Sequence, residues 1–409
     1  MFSTEVRATR CIFASNIIKV NQTDQQTYIA KTLHGLEPVL VAELAAIGAS
    51  NISTLKRAVS FNGNKEVFYK ANYLCRTALR ILRPVASFAV ESQEDLYVKV
   101  KELPWHDWMT VDNTFAIDAV VSNSVFTHSQ FTAQRVKDAI ADHWREVCGR
   151  RPDVELQNPD LRINLHLSGN EASLAFDGSG EPLFKRGYRL ATGEAPLNEI
   201  LASGILLLAG YDGSTPLHDP MCGSGTLLTE AAMIAQNIPA GYYREVFGFM
   251  KWPDFDEDLW QQIKDKADDQ LRDQQHPITG SDLDATVVEV AQGNLRSARL
   301  HKDISLMKAD FMRLPPPGDS GILVMNPPYG ERMKQNDIVS FYQGIGDALK
   351  RNWSGWTAWI ITSDLSAMKF IGLKPSQRFT LFNGPLECRL SGYELFSGAR
   401  RDMLASRSH

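Results

Sequence analysis

From about Lys185 onward, short apolar runs punctuate helical patterns. STPLHDP, PITGSD and ISLMKAD come first, each pair separated by a helix-length stretch, and GILVMNPP and TAWIITSD follow, again with a helical pattern between them. Strands joined by crossovers of that length lie side by side in parallel, so this half of the chain predicts a doubly wound α/β sheet. The end differs: RFTLFNG and LECRLSGYELF read as an antiparallel pair closing about Asn383-Gly384. Open sheets of this kind bind ligands outside the carboxyl ends of their strands, and here those ends carry polar groups.

The first strand runs into HDPMCGSGT, His218 to Thr226, ahead of the helical LLTEAAMIAQNI. Glycines at a strand-to-helix turn let a ligand approach the backbone, and the helix start adds N–H donors. The spacing is neither GxGxxG nor a phosphate-binding P-loop, because no Gly-Lys-Ser/Thr follows. The second strand ends in GSDLD, placing Asp282 where an acid can accept hydrogen bonds from both hydroxyls of a ribose, with Asp284 the weaker candidate. The third ends at KAD, which sets Asp310 beside an expected adenine amino group. His218 reads as a strand-end residue and Cys222 as a packing residue rather than a nucleophile.

The fourth strand, in GILVMNPPYGER, stops on Asn326-Pro327-Pro328-Tyr329. Prolines remove backbone donors and fix φ, so the corner neither extends the sheet nor starts an ordinary helical turn. Asn/Asp-Pro-Pro-aromatic at this place resembles the amino-methyltransferase signature of enzymes that use S-adenosylmethionine. The Asn326 side-chain carbonyl and the Pro327 main-chain carbonyl would accept the two N–H bonds of an exocyclic base amine, whose lone pair is otherwise delocalised into the ring. Tyr329 would stack on the base, as extruded bases need.

At 409 residues the chain has room for two or three domains, and 44% hydrophobic with 22% charged residues permits sizeable cores. From Thr27 to about Val90, TYIAKTL and AVSFNG are strand-like, while LEPVLVAELAAIGA (stopping at Gly48) and NKEVFYKANYLCRTALRIL are helical, a small α+β sandwich. From about Ser92 to Asp177, TFAIDAVVSNS reads as a strand and FTAQRVKDAIADHWREVCG as an amphipathic helix. LRINLHLSGNEASLAFDGSG then reads as a hairpin about Ser168-Gly169-Asn170. Ser124, Thr127, His128, Ser129 and Gln130, followed by Arg135 and Lys137, form either a helix cap with a solvated face or a phosphate-contacting loop. Lys185, Arg186 and Arg189 are a second candidate phosphate cluster, beside the crevice.

Five widely spaced cysteines make no CxxC pair, so neither a zinc site nor a disulfide framework is expected, and a reducing cytoplasm is the expected compartment. No apolar run is long enough for a membrane span. The net charge of −5 is unevenly placed: residues 1–190 carry 22 basic and 21 acidic side chains, residues 191–409 carry 21 and 27. Arg244 to Asp273 alone holds 9 acids against 5 bases, so charge neither demands nor forbids a nucleic-acid partner. The aromatic, acidic stretch FGFMKWPDFDEDLW, Phe247 to Trp260, reads as a lid or as an insertion packed on the domain's rim. Residues 1–26 read as a loose extension.

HDPMCGSGTLLTEAA, NPPYGER and NGPLECRL together resemble the bacterial THUMP-domain methyltransferases, the group similar to the ribosomal RNA large-subunit guanine-N2 methyltransferase. The resemblance implies a ferredoxin-like module (27–90), a THUMP RNA-binding domain (91–180) and a Rossmann-like class I methyltransferase domain (181–409). FKRGYR and APLNEILA match the segment that closes over the cofactor, with Pro196 and Leu197 in it. Asp219, Met221, Gly223, Gly225 and Thr226 are implied to bind S-adenosylmethionine, with Asp282, Leu283 and Asp310 on its nucleoside half and Asn326 to Tyr329 as the catalytic corner. Longer relatives carry a second methyltransferase, so a chain ending at His409 is expected to have the guanine-N2 activity alone. The implied partner is 23S ribosomal RNA, naked or within a pre-ribosomal particle. Transfer RNA, adenine N6 and a non-enzymatic role in ribosome assembly stay open as alternatives, as does the oligomeric state.

Overall fold

The computed structural model describes residues 25–123, 126, 128–190, 197–328 and 335–396. The extension (but for its last two residues), Ser124, Thr127, Pro196 and Tyr329 lie outside them.

The front of the molecule is one mixed sheet. Its strands are β1 (Gln26–Lys31), β2 (Ser50–Leu55), β3 (Ala58–Gly63), β4 (Arg80–Ala89), β5 (Phe115–Ser122), β6 (Leu161–Ser168) and β7 (Glu171–Asp177), in the order β2-β3-β1-β4-β7-β6-β5. Helices α1 (Glu37–Ala46), α2 (Lys65–Leu74), α3 (Gln93–Lys101) and α4 (Ser129–Cys148) accompany it. The two small modules read from the sequence thus share a sheet, because β4 pairs with β1 on one side and, from Leu82↔Asp177 to Ala89↔Glu171, with β7 on the other.

Three local readings change. The helix expected to run through Leu82 stops at Leu74, and Arg80–Ala89 is strand, since both of its edges find ladder partners that local helical periodicity does not register. SNISTL, mostly polar and exposed, forms β2, held as an edge strand by β3 alone. Helix α3, capped by Ser92 accepting from Asp95 N, had no counterpart in the sequence reading. The 168–170 turn and the glycine stop after α1, Gly48 at φ 92°, are as expected.

The second sheet contains β8 (Leu217–Asp219), β9 (Ile278–Asp282), β10 (Ile304–Lys308), β11 (Gly321–Met325), β12 (Trp356–Thr362), β13 (Gln377–Asn383) and β14 (Leu386–Glu394), ordered β10-β9-β8-β11-β12-β14-β13. Its first five neighbours run parallel, and β14 and β13 close it antiparallel about Asn383-Gly384. Helices α5 (Glu199–Leu208), α6 (Thr226–Ala235) and α8 (Ala285–Ser297) supply Ile205, Leu228 and Leu295 to one apolar core. Helix α9 (Gln335–Asn352) supplies Tyr342, Ile345 and Leu349 to another, with Trp353 and Trp356. The strand order reverses between β8 and β11, which opens a crevice at their carboxyl ends.

The acidic, aromatic insert is no lid. With α7 (Glu257–Asp268) it packs into the core of the front sheet. Phe249 stacks on Tyr69 with ring centroids 4.4 Å apart, Trp252 on Phe68 at 5.7 Å, and the Arg83 guanidinium sits 4.1 Å from the Trp252 ring. Asp254 accepts from Arg83 at 2.7 Å, and Lys251 donates to Asn158 O at 3.0 Å. Large aromatic surface outweighs the local excess of acids, and each acid that turns inward meets a base or a backbone N–H.

Candidate cofactor and substrate crevice

Asp219 and Asp282 stand at the ends of adjacent strands β8 and β9. Asp219 is buried and accepts from Met221 N at 3.1 Å. Burial pushes its carboxyl up to about 8, and the nearby Asp282 charge adds to that. Asp282 Oδ2 accepts from Gly223 N at 3.1 Å and Oδ1 from Asp284 N at 3.1 Å, which ties the Gly-rich turn to the second strand and leaves each oxygen a further lone pair. Asp284 caps α8 by accepting from Thr286 N, in keeping with its weaker candidacy.

The turn needs its glycines. Gly223 (φ 54°) and Gly225 (φ 82°) adopt left-handed backbone, and a Cβ on Gly223 would meet nothing within 4 Å, whereas one on Gly225 would press on Ala291 Cβ at 3.3 Å. Gly223 therefore borders open space and Gly225 closes α6 against α8. Cys222, buried, has its thiol pushed up and is a packing residue. His218 is buried, shares a hydrogen with Thr279 Oγ1 at 2.7 Å and stacks on Trp353, with burial lowering its pKa to about 4.

Asp310 caps a 3-10 turn by accepting from Met312 N at 3.0 Å, and its other oxygen lies 3.7 Å from the exposed Arg313. Leu283, 68% exposed, presents bare apolar surface beside Asp282. Asn326 follows β11, and its Oδ1 is buried without a hydrogen-bond partner among the described residues. A buried acceptor left unpaired is costly and marks a place where a donor is expected. Open space at Gly223, an acid pair at the strand ends, an apolar shelf and an orphan acceptor fit an adenosyl cofactor and an amine. Among the described residues no group of three or more His, Cys, Asp or Glu is placed to hold a metal ion.

The two basic clusters fare differently. Arg186 is not an RNA contact: it is 2% exposed and bound to Glu230, itself fully buried, with N–O distances of 3.4 Å. Tyr188 and Ser203 also donate to Glu230, and Arg186 Nη2 donates to Arg76 O of the front module at 2.6 Å. Arg189 is likewise turned inward, donating to Glu199 Oε1 at 2.7 Å, Leu197 O at 3.1 Å and Thr226 Oγ1 at 2.9 Å. A guanidinium has five donors in a fixed fork, so it joins loops inside a protein as readily as it meets phosphate outside. Lys185 is exposed and, among the described residues, pairs with Glu181 four positions earlier. Ser129 and Gln130 are exposed at the start of α4; Arg135 lies over the Tyr97 ring and pairs with Glu94, and Lys137 pairs with Asp138.

Sequence reasoning missed Glu230, Glu199 and Asn294. Asn294 accepts from Leu190 N at 3.0 Å and donates to Ser224 O at 3.0 Å, bridging the closing segment to the Gly-rich turn. Its signal was a polar residue on the buried face of α8, beside Val288, Ala291 and Leu295. Glu230, an acid within the otherwise apolar α6, carried the same signal.

Known proteins share this arrangement. A family model described as RMKL-like, methyltransferase domain matches residues 186–392, a THUMP domain model matches 90–177, and an RlmL ferredoxin-like domain model matches 27–82. The Synechocystis protein slr0064, provisionally named an RNA methyltransferase, is 40% identical over 371 residues, covering 90% of this chain and 97% of its own length. A ribosomal RNA large subunit methyltransferase K/L from Methylococcus capsulatus is 39% identical over 376 residues, which is 90% of this chain and 51% of that protein. The chain thus spans about half the length of such relatives. The crystal structure of SMU.472 complexed with SAH superposes with a TM-score of 0.82 at 30% identity, covering 92% of this chain and 99% of that one.

Sheet order, Gly-rich turn and proline corner define a class I methyltransferase. SAH is what S-adenosylmethionine becomes on giving up its methyl group. The chain belongs to the RMKL-like methyltransferase family.

Proposed function

We propose that this chain methylates the N2 amine of a guanine in 23S ribosomal RNA. The observation that carries the reading is the orphan acceptor: Asn326 Oδ1, buried and without a hydrogen-bond partner among the described residues, suits a base amine. Together with the Pro327 carbonyl it would accept both N–H bonds, draw the nitrogen toward sp³ and turn its lone pair toward the cofactor, which supplies the methyl group when bound. Tyr329 is the proposed stacking partner of the base. Asp219, Met221, Gly223, Gly225 and Thr226 would hold the amino-acid half of the cofactor, and Asp282, Leu283 and Asp310 the nucleoside half, with Pro196 and Leu197 in the closing segment.

The named activity of the K/L relatives supports large-subunit ribosomal RNA as substrate, and the THUMP match supports recognition by the front sheet. Thr127, Ser129, Gln130, Arg135, Lys137 and Lys185 are the proposed RNA-facing residues, and the cytoplasm is the proposed compartment. Removing the front sheet is a poor test of that role, because it would strip the cover from Phe249, Trp252 and Trp260. The test is transfer from radiolabelled S-adenosylmethionine to total RNA from a strain lacking the gene, with RNA fractionated by size and digested to nucleosides. N2-methylguanosine in large-subunit RNA is the expected product. Label in transfer RNA or as N6-methyladenosine would replace the substrate. No label on free RNA or on pre-ribosomal particles would favour an assembly factor.

A further inference from the structure

The stretch NGPLECRL, Asn383 to Leu390, makes the turn between β13 and β14 and the start of β14. Thr362 of β12 pairs with Arg389 of β14, while Ile360 pairs with Met325 of β11. Thr362 lies two residues past Ile360 and Pro327 two past Met325, so Pro327, Thr362 and Arg389 mark one row at the carboxyl edge of the sheet. That row puts Arg389 two strand spacings, about 10 Å, from the proline corner. Because β14 is antiparallel to β12, the hairpin projects past the edge from Arg389 back to Leu386. Its turn is open: Leu386 is 49% exposed, and a Cβ on Gly384 would meet nothing within 4 Å.

Cys388 and Leu390 are buried in the core that holds Ile361, so Arg389, between them, faces the other side of the sheet with Thr362. It is half-buried there, and its guanidinium makes no hydrogen bond or ion pair among the described residues. Asp364, just past β12, is engaged with Ser366 N and Ala367 N, and Glu387 is exposed near the turn. A guanidinium stays charged and has five donors to place, so this one suits an anion brought from outside. The front sheet also meets the second sheet here. The His34 ring stands edge-on to Phe382 with centroids 5.4 Å apart, and a Cβ on Gly35 would collide with Thr380 O, so the β1–α1 loop is seated on β13. A strand held by the front sheet therefore crosses this hairpin on its way to the corner. On the RNA reading of the site, we propose that Arg389 donates to a backbone phosphate next to the nucleotide whose base enters the corner. Such a contact sets the register of the strand without reading its sequence.

The test is the salt dependence of large-subunit RNA binding to the full chain, measured apart from transfer, together with transfer kinetics on the same RNA. Arg389→Gln should lower the salt slope by about one ion and raise KM roughly 3- to 10-fold, with kcat, S-adenosylmethionine affinity and melting temperature near wild type. Arg389→Lys should restore the slope, because a point charge still meets phosphate. A lower melting temperature with an unmoved slope would make Arg389 structural and overturn the proposal. So would Arg389→Gln with slope and KM both unchanged, and a wild type that still methylates RNA would then keep the RNA reading. A wild type that methylates no RNA overturns that reading, and the slopes alone decide on Arg389. Should the Gln variant not fold, Thr380→Lys decides. Thr380 pairs with Arg389 across the hairpin, so the added charge should raise the slope by about one ion, and an unmoved slope overturns the proposal.

Discussion

The seam between the two sheets and the crevice at the end of the second both bury charge, but they treat it in opposite ways. In the seam, Arg186 faces Glu230, Arg83 faces Asp254, and Arg244 donates to four backbone carbonyls at Ser179, Glu181, Pro182 and Lys185. In the crevice, among the described residues, Asp219 has one backbone N–H and no cation, and Asn326 Oδ1 has no hydrogen-bond partner. Unpaired atoms occur in both places, since Arg76 Nη1 and Arg244 Nε of the seam also lack partners among the described residues, so what sets the crevice apart is an acid without a counter-charge and an acceptor without a donor.

The largest expected effect strikes the seam. Glu230→Ala leaves Arg186 buried without its counter-charge and should lower unfolding stability by about 3–5 kcal/mol, read by chemical denaturation. A loss under about 1 kcal/mol would mean that water reaches the site, and the distinction between seam and crevice would weaken. Next comes the proposed catalytic corner. If Asn326 accepts from the amine as it reacts, Asn326→Ala should cut turnover roughly 10²–10³-fold while S-adenosylmethionine affinity and melting temperature stay near wild type. Loss of cofactor affinity as well would take Asn326 out of the substrate side.

A further effect appears with pH. The Asp219 pKa of about 8 in the folded protein lies above its unfolded value of about 4, so the folded chain holds the extra proton between these limits. The stabilisation this gives is present in full below about pH 4 and is lost as pH rises through about 8. Asp282 is the neighbouring acid that adds to the shift. A bound cation favours the ionised form, so S-adenosylmethionine should release up to about one proton at neutral pH. Calorimetry in buffers of differing ionisation heat should show that release in wild type and not in Asp219→Asn. The smallest effect is at the surface: Lys185→Ala should change stability by less than about 0.5 kcal/mol, and if it meets phosphate it should lower the salt dependence of RNA binding by about one ion. An unchanged salt slope would remove it from the RNA face.

The parallel sheet was legible because each strand is short, apolar and punctuated, and because the four strand ends carry Asp219, Asp282, Asp310 and Asn326 in recurring position. The front was less legible. β2 is polar and exists only through its pairing with β3, and the helix pattern over 64–82 conceals the start of β4. The insert was read for its acids, yet its rings decide where it goes.

Alternation of strand and helix, left-handed glycines at 223 and 225, and a donor-poor corner at Asn326-Pro327-Pro328 are local properties, and the sequence by itself determined them. Which arginines meet solvent is not local. Lys185, Arg186 and Arg189 are near neighbours in the chain, and one pairs on the surface, one meets Glu230 in the seam, and one lies against the helix start after the Gly-rich turn. Only the tertiary structure decided that division, because burial and counter-charge come from residues distant in sequence, and these set the environment of each guanidinium.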